Sequence, residues 1–365
     1  MKISWLNTTG IVLLTFLCMT ITGCSDDREF LAVNSSQQSN ILYSVSTWSE
    51  ILSKGVLSKG SQVSSVSSYG VCVAAYNKNL NYDNIPWGNY IYNMSLSGSN
   101  GNTEYPWPTD DYKISSFAWS PYSNDYISIG AATDTRRDSC FVSYKTPADV
   151  SNHVDLIAAC QIGTSCPQEE EVPLVFHHLL SNLTFSVRNY LSSTLTVKSL
   201  TVTGFMDSAS FIPGADGSFS ETGIKKGELD GADAATLSCN IDIASTGIAD
   251  ITADNGNFFL VPTKLIVGTR MLDLCVEANG EEYHYYYDID STKQFLMGHT
   301  YSFILTIHAD MEVSTASSIT DWNATGMDVQ FIDYITGSIT DWSVSDDNNL
   351  DRGENGGITD WTIQQ

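Results

Sequence analysis

Eight cysteines and six histidines are among the residues of this 365-residue chain that could act as nucleophiles, redox centres or metal ligands. Their spacing contains no CxxC or HxxxH pair, so we predict no metal site. GxSxG, HExxH, phosphate-loop and GxGxxG motifs are also absent from the sequence. We therefore predict neither an enzyme nor a cofactor, although the many Asp and Glu residues leave a carboxylate pair for glycoside hydrolysis open.

Six cysteines follow residue 24, and an even number in an exported protein permits disulfides. Six cysteines allow 15 pairings, among which sequence cannot choose. Cys160 and Cys166, in CQIGTSC, are the best local candidates for a disulfide. Cys239, in LSCNIDI, shares a strand face with Leu237 and Ile241 and is predicted to be a small buried hydrophobe.

Cys24 is the cysteine with a predicted modification. Lys2 and the apolar run Ile11–Met19, too short to span a bilayer, precede the sequence ITGC. This arrangement resembles the lipobox of bacterial lipoproteins, which implies a signal peptide at residues 1–23 and acylation of the Cys24 thiol (palmitate or a similar chain) and amine. The alternative is an ordinary secretory signal with a chance cysteine. Two or three acyl chains would anchor the protein in the outer membrane without a transmembrane helix.

The residues after Cys24 and the overall charge both suit an exported protein. SDDRE (25–29) resembles the surface-export signal of lipoproteins in Bacteroides-type bacteria. Loss of residues 1–23 removes Lys2 and changes the formal net charge from −25 to −26. Such an excess repels nucleic-acid phosphates, so we predict no nucleic-acid partner. A solvated acidic surface explains most of this charge.

Short strand-like runs fill the chain, and helical periodicity is nearly absent. In TYSFILTI (300–307), every second residue from Tyr301 to Ile307 is apolar or aromatic, and the residues between them are Ser302, Ile304 and Thr306, which is typical of a half-buried strand. Turn signals such as Asn279–Gly280 separate the runs. We predict an all-β fold of two β-sandwich domains. The predicted segments are a signal peptide (1–23), a lipidated leader (24–45), an N-terminal domain (46–165), a C-terminal domain (166–325) and an irregular tail (326–365).

Several phrases, taken in order, resemble the fimbrillin family (Mfa-like, type V pilins) of Bacteroides-type bacteria over roughly residues 60–325. They are EYPWPTDDYKISSFAWSPY (104–122), VDLIAA (154–159), VPLVFHHLLSNLTFSV (172–187), FFLVPTKL (258–265) and FLMGHTYSFILTI (295–307). The family's aromatic segment is matched by Phe117, Ala118, Trp119, Pro121 and Tyr122. Trp119 and Ser120 replace the more usual tyrosines, and the family's histidine falls at His178 or His177.

This resemblance implies transthyretin-like topology in both domains and a route of assembly. In that route a lipoprotein reaches the outer surface, a trypsin-like protease removes an N-terminal strand, and a neighbouring subunit fills the groove with a strand of its own. The implied partners are other pilin subunits, in a homo- or hetero-polymer, and a ligand on a host or bacterial surface. Whether this subunit belongs to the shaft, tip or anchor of a pilus stays open.

Three basic residues are candidate processing sites. Cleavage after Arg28 would release five residues from Cys24, too few to leave a strand-sized groove. Lys54 and Lys59, in ILSKGVLSKG, are better placed, because a cut there would remove ILYSV (41–45), whose alternation suits a strand. The alternative is that these lysines lie in an exposed loop and the N-terminus stays intact, as in anchoring subunits.

The sequence ITDW occurs three times near the C-terminus, at 319–322, 339–342 and 358–361, which is not standard for the family. One copy could end the last strand of the C-terminal domain. The others could supply a donor strand for a neighbouring subunit, or they could be a short duplication forming a disordered extension. The donor-strand candidates are Ile319, Trp322, Val329, Phe331, Ile339, Trp342, Ile358 and Trp361.

A glycan-binding surface lipoprotein that does not polymerise is the second functional hypothesis. It would share the lipobox, the acidity and the sandwich folds with a pilin. YHYYY (283–287) could form an aromatic sugar platform, but alternating tyrosines are more often ordinary strand faces. A pilin loses its leader and gains a neighbour's strand, whereas a glycan binder keeps its lipid and needs exposed, coplanar aromatic rings.

Overall fold

A computed structural model of the chain describes residues 39–47, 66–80, 88–98, 100–130, 141–166, 171–214, 216–219, 225–226, 234–253, 255–289, 292–308, 313–321 and 362–364. Apart from one 3₁₀ turn at Val150–Asn152, the regular elements in these ranges are β strands, which confirms the predicted all-β fold. Within them no helix has the length and hydropathy needed to span a bilayer.

The strands are numbered in chain order. Those of the first half are β1 (Asn40–Thr47), β2 (Ser68–Asn77), β3 (Ile91–Ser97), β4 (Asn100–Pro106), β5 (Tyr112–Ser120), β6 (Ile127–Gly130), β7 (Phe141–Lys145), β8 (Ile157–Ser165) and β9 (Val172–His178). Those of the second half are β10 (Ser181–Asn189), β11 (Leu195–Thr203), β12 (Ser208–Phe211), β13 (Lys225–Lys226), β14 (Ala234–Ile243), β15 (Ile248–Asp250), β16 (Phe258–Leu260), β17 (Thr263–Leu265), β18 (Arg270–Ala278), β19 (Glu281–Asp288), β20 (Lys293–Phe295), β21 (His299–Ile307), β22 (Val313–Asp321) and β23 (Thr362–Gln364).

Seven strands form the first sheet, in the order β3-β2-β5-β8-β9-β1-β4. Its end strands, β3 and β4, follow each other in the chain, and residues from both halves of the sheet meet in one core. Across that core the rings of Tyr69 on β2 and Phe176 on β9 lie 5.8 Å apart, edge to face. The sheet therefore folds back on itself around this first core.

A second core lies between the sheet β15-β10-β21-β22 and the sheet β14-β11-β18-β19-β23. Tyr301, Phe303 and Leu305 of β21 enter it, as their alternation predicts. Asn279 and Gly280 join β18 to β19 with φ angles of 55° and 84°, the backbone that Asn-Gly hairpin turns require. Local sequence patterns thus specify both the buried face and the turn.

A third core joins the two halves of the chain. It packs side chains of β2, β5 and β7 against side chains of β12 and β16. β7 pairs with β12 in the sheet β13-β12-β7-β6, and the Tyr144 hydroxyl donates a hydrogen bond to the Phe259 carbonyl (3.1 Å). Strands on both sides of the predicted 165/166 division are therefore paired, and β9 belongs to the first sheet. The number of domains and the transthyretin-like topology stay predictions.

Gly70 on β2 allows the Trp119 indole of β5 to pack against the β2 backbone. A Cβ atom at position 70 would overlap the indole ring. Trp119 is fully buried in the third core, so the ring has no room to move aside. Position 70 therefore requires glycine, because the Trp119 ring lies too close to the β2 backbone for a side chain there.

We expect Gly70→Ala to lower the free energy of unfolding by about 1–3 kcal/mol, because the added methyl group overpacks a filled core. Ser95→Ala is the control, since Ser95 is exposed and is the register partner of Gly70 on β3. The control should change stability by less than about 0.5 kcal/mol. Denaturant unfolding measures both, and equal effects would contradict the packing argument.

His153 also connects the two halves of the chain. Its Nδ1 accepts a hydrogen bond from the Phe259 amide (3.0 Å), and its Nε2 donates one to the Pro147 carbonyl (3.0 Å). These contacts need a neutral ring with the proton on Nε2. Burial lowers the pKa of His153 from 6.5 to about 4, because the charged imidazolium loses solvent there.

We expect stability to fall as the pH drops from about 6.5 to about 4, because the unfolded chain then binds a proton at His153 that the folded chain does not. One such proton gives a slope of at most about 1.4 kcal/mol per pH unit. His153→Asn keeps a donor and an acceptor but does not titrate, so it should lose this part of the slope. Urea unfolding at several pH values measures it, and an unchanged slope in the variant would contradict the assignment.

Candidate functional site

The N-terminal strand β1 occupies an inner position of the first sheet. It runs antiparallel to β4 and parallel to β9, so both of its edges are hydrogen-bonded. Tyr43 is paired with Gly101 on one side and with Val172 on the other. Neither β4 nor β9 is close to β1 in sequence. The groove between them is therefore filled by a strand from a distant part of the chain.

The side chains of β1 alternate between core and solvent. Ile41 and Tyr43 are fully buried, Val45 packs against the same core, and Leu42 is 41% exposed. This confirms the prediction that ILYSV forms a strand. The groove takes alternate apolar side chains and offers main-chain partners on both sides, which is how β-augmentation sites recognise extended segments.

Polar contacts fix the register of β1 in the groove. The hydroxyls of Tyr43 and Ser116 lie 2.7 Å apart, across the core from one half of the sheet to the other. Thr103 donates a hydrogen bond to the Ile41 carbonyl (3.1 Å). Burial raises the pKa of the Tyr43 phenol well above its usual range, so the group stays neutral at physiological pH.

A buried histidine–carboxylate pair lies at the end of β9, and sequence reasoning did not predict it. Nδ1 of His178 lies 3.0 Å and 2.9 Å from the two carboxylate oxygens of Asp155, and both side chains are sealed from solvent. Two of the sequence phrases quoted above supply these residues. The pair is therefore a buried contact between β9 and the segment before β8.

Cys160 and Cys166, the best local candidates for a disulfide, are not bonded to each other. Both thiols are free, and both residues come from β8 or the position just after it. Six residues of extended strand span about 20 Å, whereas disulfides need Cα atoms about 4.4–6.8 Å apart. Cys160 packs against the third core and Cys166 lies in the first, so burial raises the pKa of each thiol. Cys239, predicted to be buried, is half-buried and packs against the second core.

Most of the predicted site residues lie outside the described ranges. They are Cys24, Arg28, Lys54, Lys59, Trp322, Val329, Phe331, Ile339, Trp342, Ile358 and Trp361, whose roles stay predictions. Ile319 lies on β22 and is the register partner of Tyr301 on β21. β22 ends at Asp321, inside the first ITDW copy, as expected for one copy.

In the tail predicted to be irregular, the part that the structure describes is a short strand. β23 (Thr362–Gln364) follows the third ITDW copy directly and pairs antiparallel with β19. Neighbouring side chains of β19 alternate: Tyr285 and Tyr287 are buried, whereas His284 and Tyr286 are stacked with ring centroids 6.1 Å apart. The YHYYY run is therefore divided between two faces of its sheet.

We expect Ile41→Ala to lower the free energy of unfolding by about 2–5 kcal/mol, because it opens a cavity beside β1. Leu42→Ala is the matched control on the same strand, with an exposed fraction of 41%, and should cost less than about 1 kcal/mol. Denaturant unfolding of the intact chain measures both. Similar losses for the two variants would contradict the inner position of β1.

Comparison with known proteins adds family evidence. A model of the fimbrillin-like family matches residues 61–322. No curated protein matches the chain. Similar solved structures include a candidate cell adhesion protein from Bacteroides ovatus (17% identity, 80% of this chain and 100% of the other, TM-score 0.46) and the fimbrial anchor protein Mfa2 from Porphyromonas gingivalis (11% identity, 80% and 100%, TM-score 0.37). The fimbrillin-like model spans more than half of the chain, and the family assignment depends on that match alone.

Proposed function

The chain belongs to the fimbrillin-like family, and on that premise we propose that it is a lipidated, surface-exported pilus subunit. It assembles with other pilin subunits by proteolysis-assisted donor-strand exchange and serves in adhesion to a host or bacterial surface ligand. The outer membrane is its location before processing, with Cys24 as the lipid attachment site, and the pilus is its location afterwards.

The observation that carries this proposal is the position of β1. Residues 48–67 connect β1 to β2, and this connection contains both candidate cleavage residues, Lys54 and Lys59. A cut there would leave β1 attached to the fold only by non-covalent contacts. By contrast, a cut after Arg28 would remove the lipid and keep β1 in the groove.

Energies of ordinary size make such an exchange feasible. Full burial of a large apolar side chain contributes about 1.5–3 kcal/mol, so Ile41 and Tyr43 together contribute roughly 3–6 kcal/mol to the binding of β1, in addition to its main-chain hydrogen bonds and the packing of Val45. Micromolar binding corresponds to about 8 kcal/mol. After a cut, non-covalent contacts of this size hold β1, and a donor strand with longer apolar alternation could compete for the groove.

A non-polymerising glycan-binding lipoprotein is the second candidate. The observation that favours it is the outer face of β19, where the Arg270 guanidinium lies 4.3 Å from the centroid of the Tyr286 ring and His284 stacks beside that ring. Against it, Tyr285 and Tyr287 are buried, so the YHYYY run offers few rings to a sugar. Pilus assembly is the better supported function.

The test is the N-terminus of protein recovered from the cell surface. We expect mature chains that start at Gly55 or Gly60 and form ladders on unboiled gels. In a Lys54→Gln/Lys59→Gln double variant, we expect an intact N-terminus and at least a tenfold loss of ladders. Intact mass, N-terminal sequencing and gel densitometry provide the measurements.

Lys264→Gln is the matched control, because it removes an exposed lysine on β17 far from β1 in sequence. It should behave as the unchanged chain. A chain acylated at Cys24 that remains uncut and monomeric would contradict the proposal and favour an anchor subunit or glycan binding. A chain that starts at Glu29 has been cut after Arg28. Ladders formed by that chain would contradict cleavage at Lys54 or Lys59 as the step that permits assembly.

A further inference from the structure

β19 would be the end strand of its sheet if β23 were not paired with it. Its carboxylates lie at its two ends, at Glu281, Glu282 and Asp288, while Tyr283–Tyr287 between them has none. Charges on an edge strand discourage pairing with other chains, and an uncharged stretch invites it. The middle of β19 is therefore the part of this edge that needs a cover.

β23 covers that middle part. Its residues are register partners of β19 as follows: Thr362 with Tyr286, Ile363 with Tyr285, and Gln364 with His284. The apolar residue thus takes the position opposite buried Tyr285, and polar residues take the positions opposite partly exposed ones. None of the three is charged, so the pairing adds no repulsion in a strongly acidic chain.

We propose that the edge of β19 is a latch for this chain's own residues Thr362–Gln364, which holds the end of the tail on its own molecule. The latch would delay donation of the tail to a neighbouring subunit. That donation step rests on the proposed function, whereas the docking itself does not.

The tail is covalently linked to the fold, and this favours docking of the chain's own tail over docking of the tail of another molecule. A linked segment has a local concentration on the order of millimolar at its site. A strand of three residues makes few main-chain hydrogen bonds, which hardly offset the translational and rotational freedom that two separate molecules lose on binding. Because these main-chain hydrogen bonds are few, the latch can also open. A donor segment must be able to leave its own molecule in this way.

Disulfide trapping in dilute monomer tests the docking. Tyr286→Cys/Thr362→Cys places two thiols at register partners, and Tyr286→Cys/Ile363→Cys, one residue out of register, is the matched control. We avoid position 284 because Cys275 is its partner on β18. The in-register pair should form an intramolecular disulfide at least about tenfold faster than the control, because a shift of one residue moves a side chain to the other face of the strand.

Equal rates for the two pairs would overturn the latch, and so would a majority of intermolecular disulfides in dilute protein. The effect on assembly is tested with the same in-register variant at the cell surface. Oxidation should reduce ladders at least about fivefold, and reduction should restore them; ladders unaffected by oxidation would overturn the delaying role. If the unchanged chain forms no ladders, the proposed function fails, while the trapping rates still decide the docking.

Discussion

Burial of β1 between β4 and β9 is the interaction on which the first core depends. One eight-residue strand satisfies the hydrogen-bonding edges of both neighbours and fills the core with Ile41 and Tyr43. Its strand partners are distant in sequence, so tertiary packing places this strand in the sheet, while its own alternation already favours an extended conformation.

The third core extends this dependence to the rest of the chain. β2 has apolar residues on both faces, since Val71 and Val73 enter the first core while Cys72 enters the third. The third core in turn meets β12 and β16, and His153 is bonded to Phe259 of β16. Packed side chains therefore connect the first core, which contains β1, to the second half of the chain.

Both ends of the described chain are strands added to sheets, but the two attachments differ in strength. β1 lies inside a sheet, bonded on both sides and with two fully buried side chains. β23 lies at the edge of a sheet and is paired over three residues with β19 alone. A short edge strand paired on one side opens at a lower free energy than an inner strand that is hydrogen-bonded on both sides.

The sequence by itself determined the strand content, the buried faces and the turns, because these follow from local periodicity and backbone preference. ILYSV, TYSFILTI and Asn279–Gly280 each specify their own conformation. Only the tertiary structure decided which strands and segments meet, namely the parallel pairing of β1 with β9 and the contact of Asp155 with His178. Pairing of distant strands depends on how all the faces pack at once, and no local pattern contains that information.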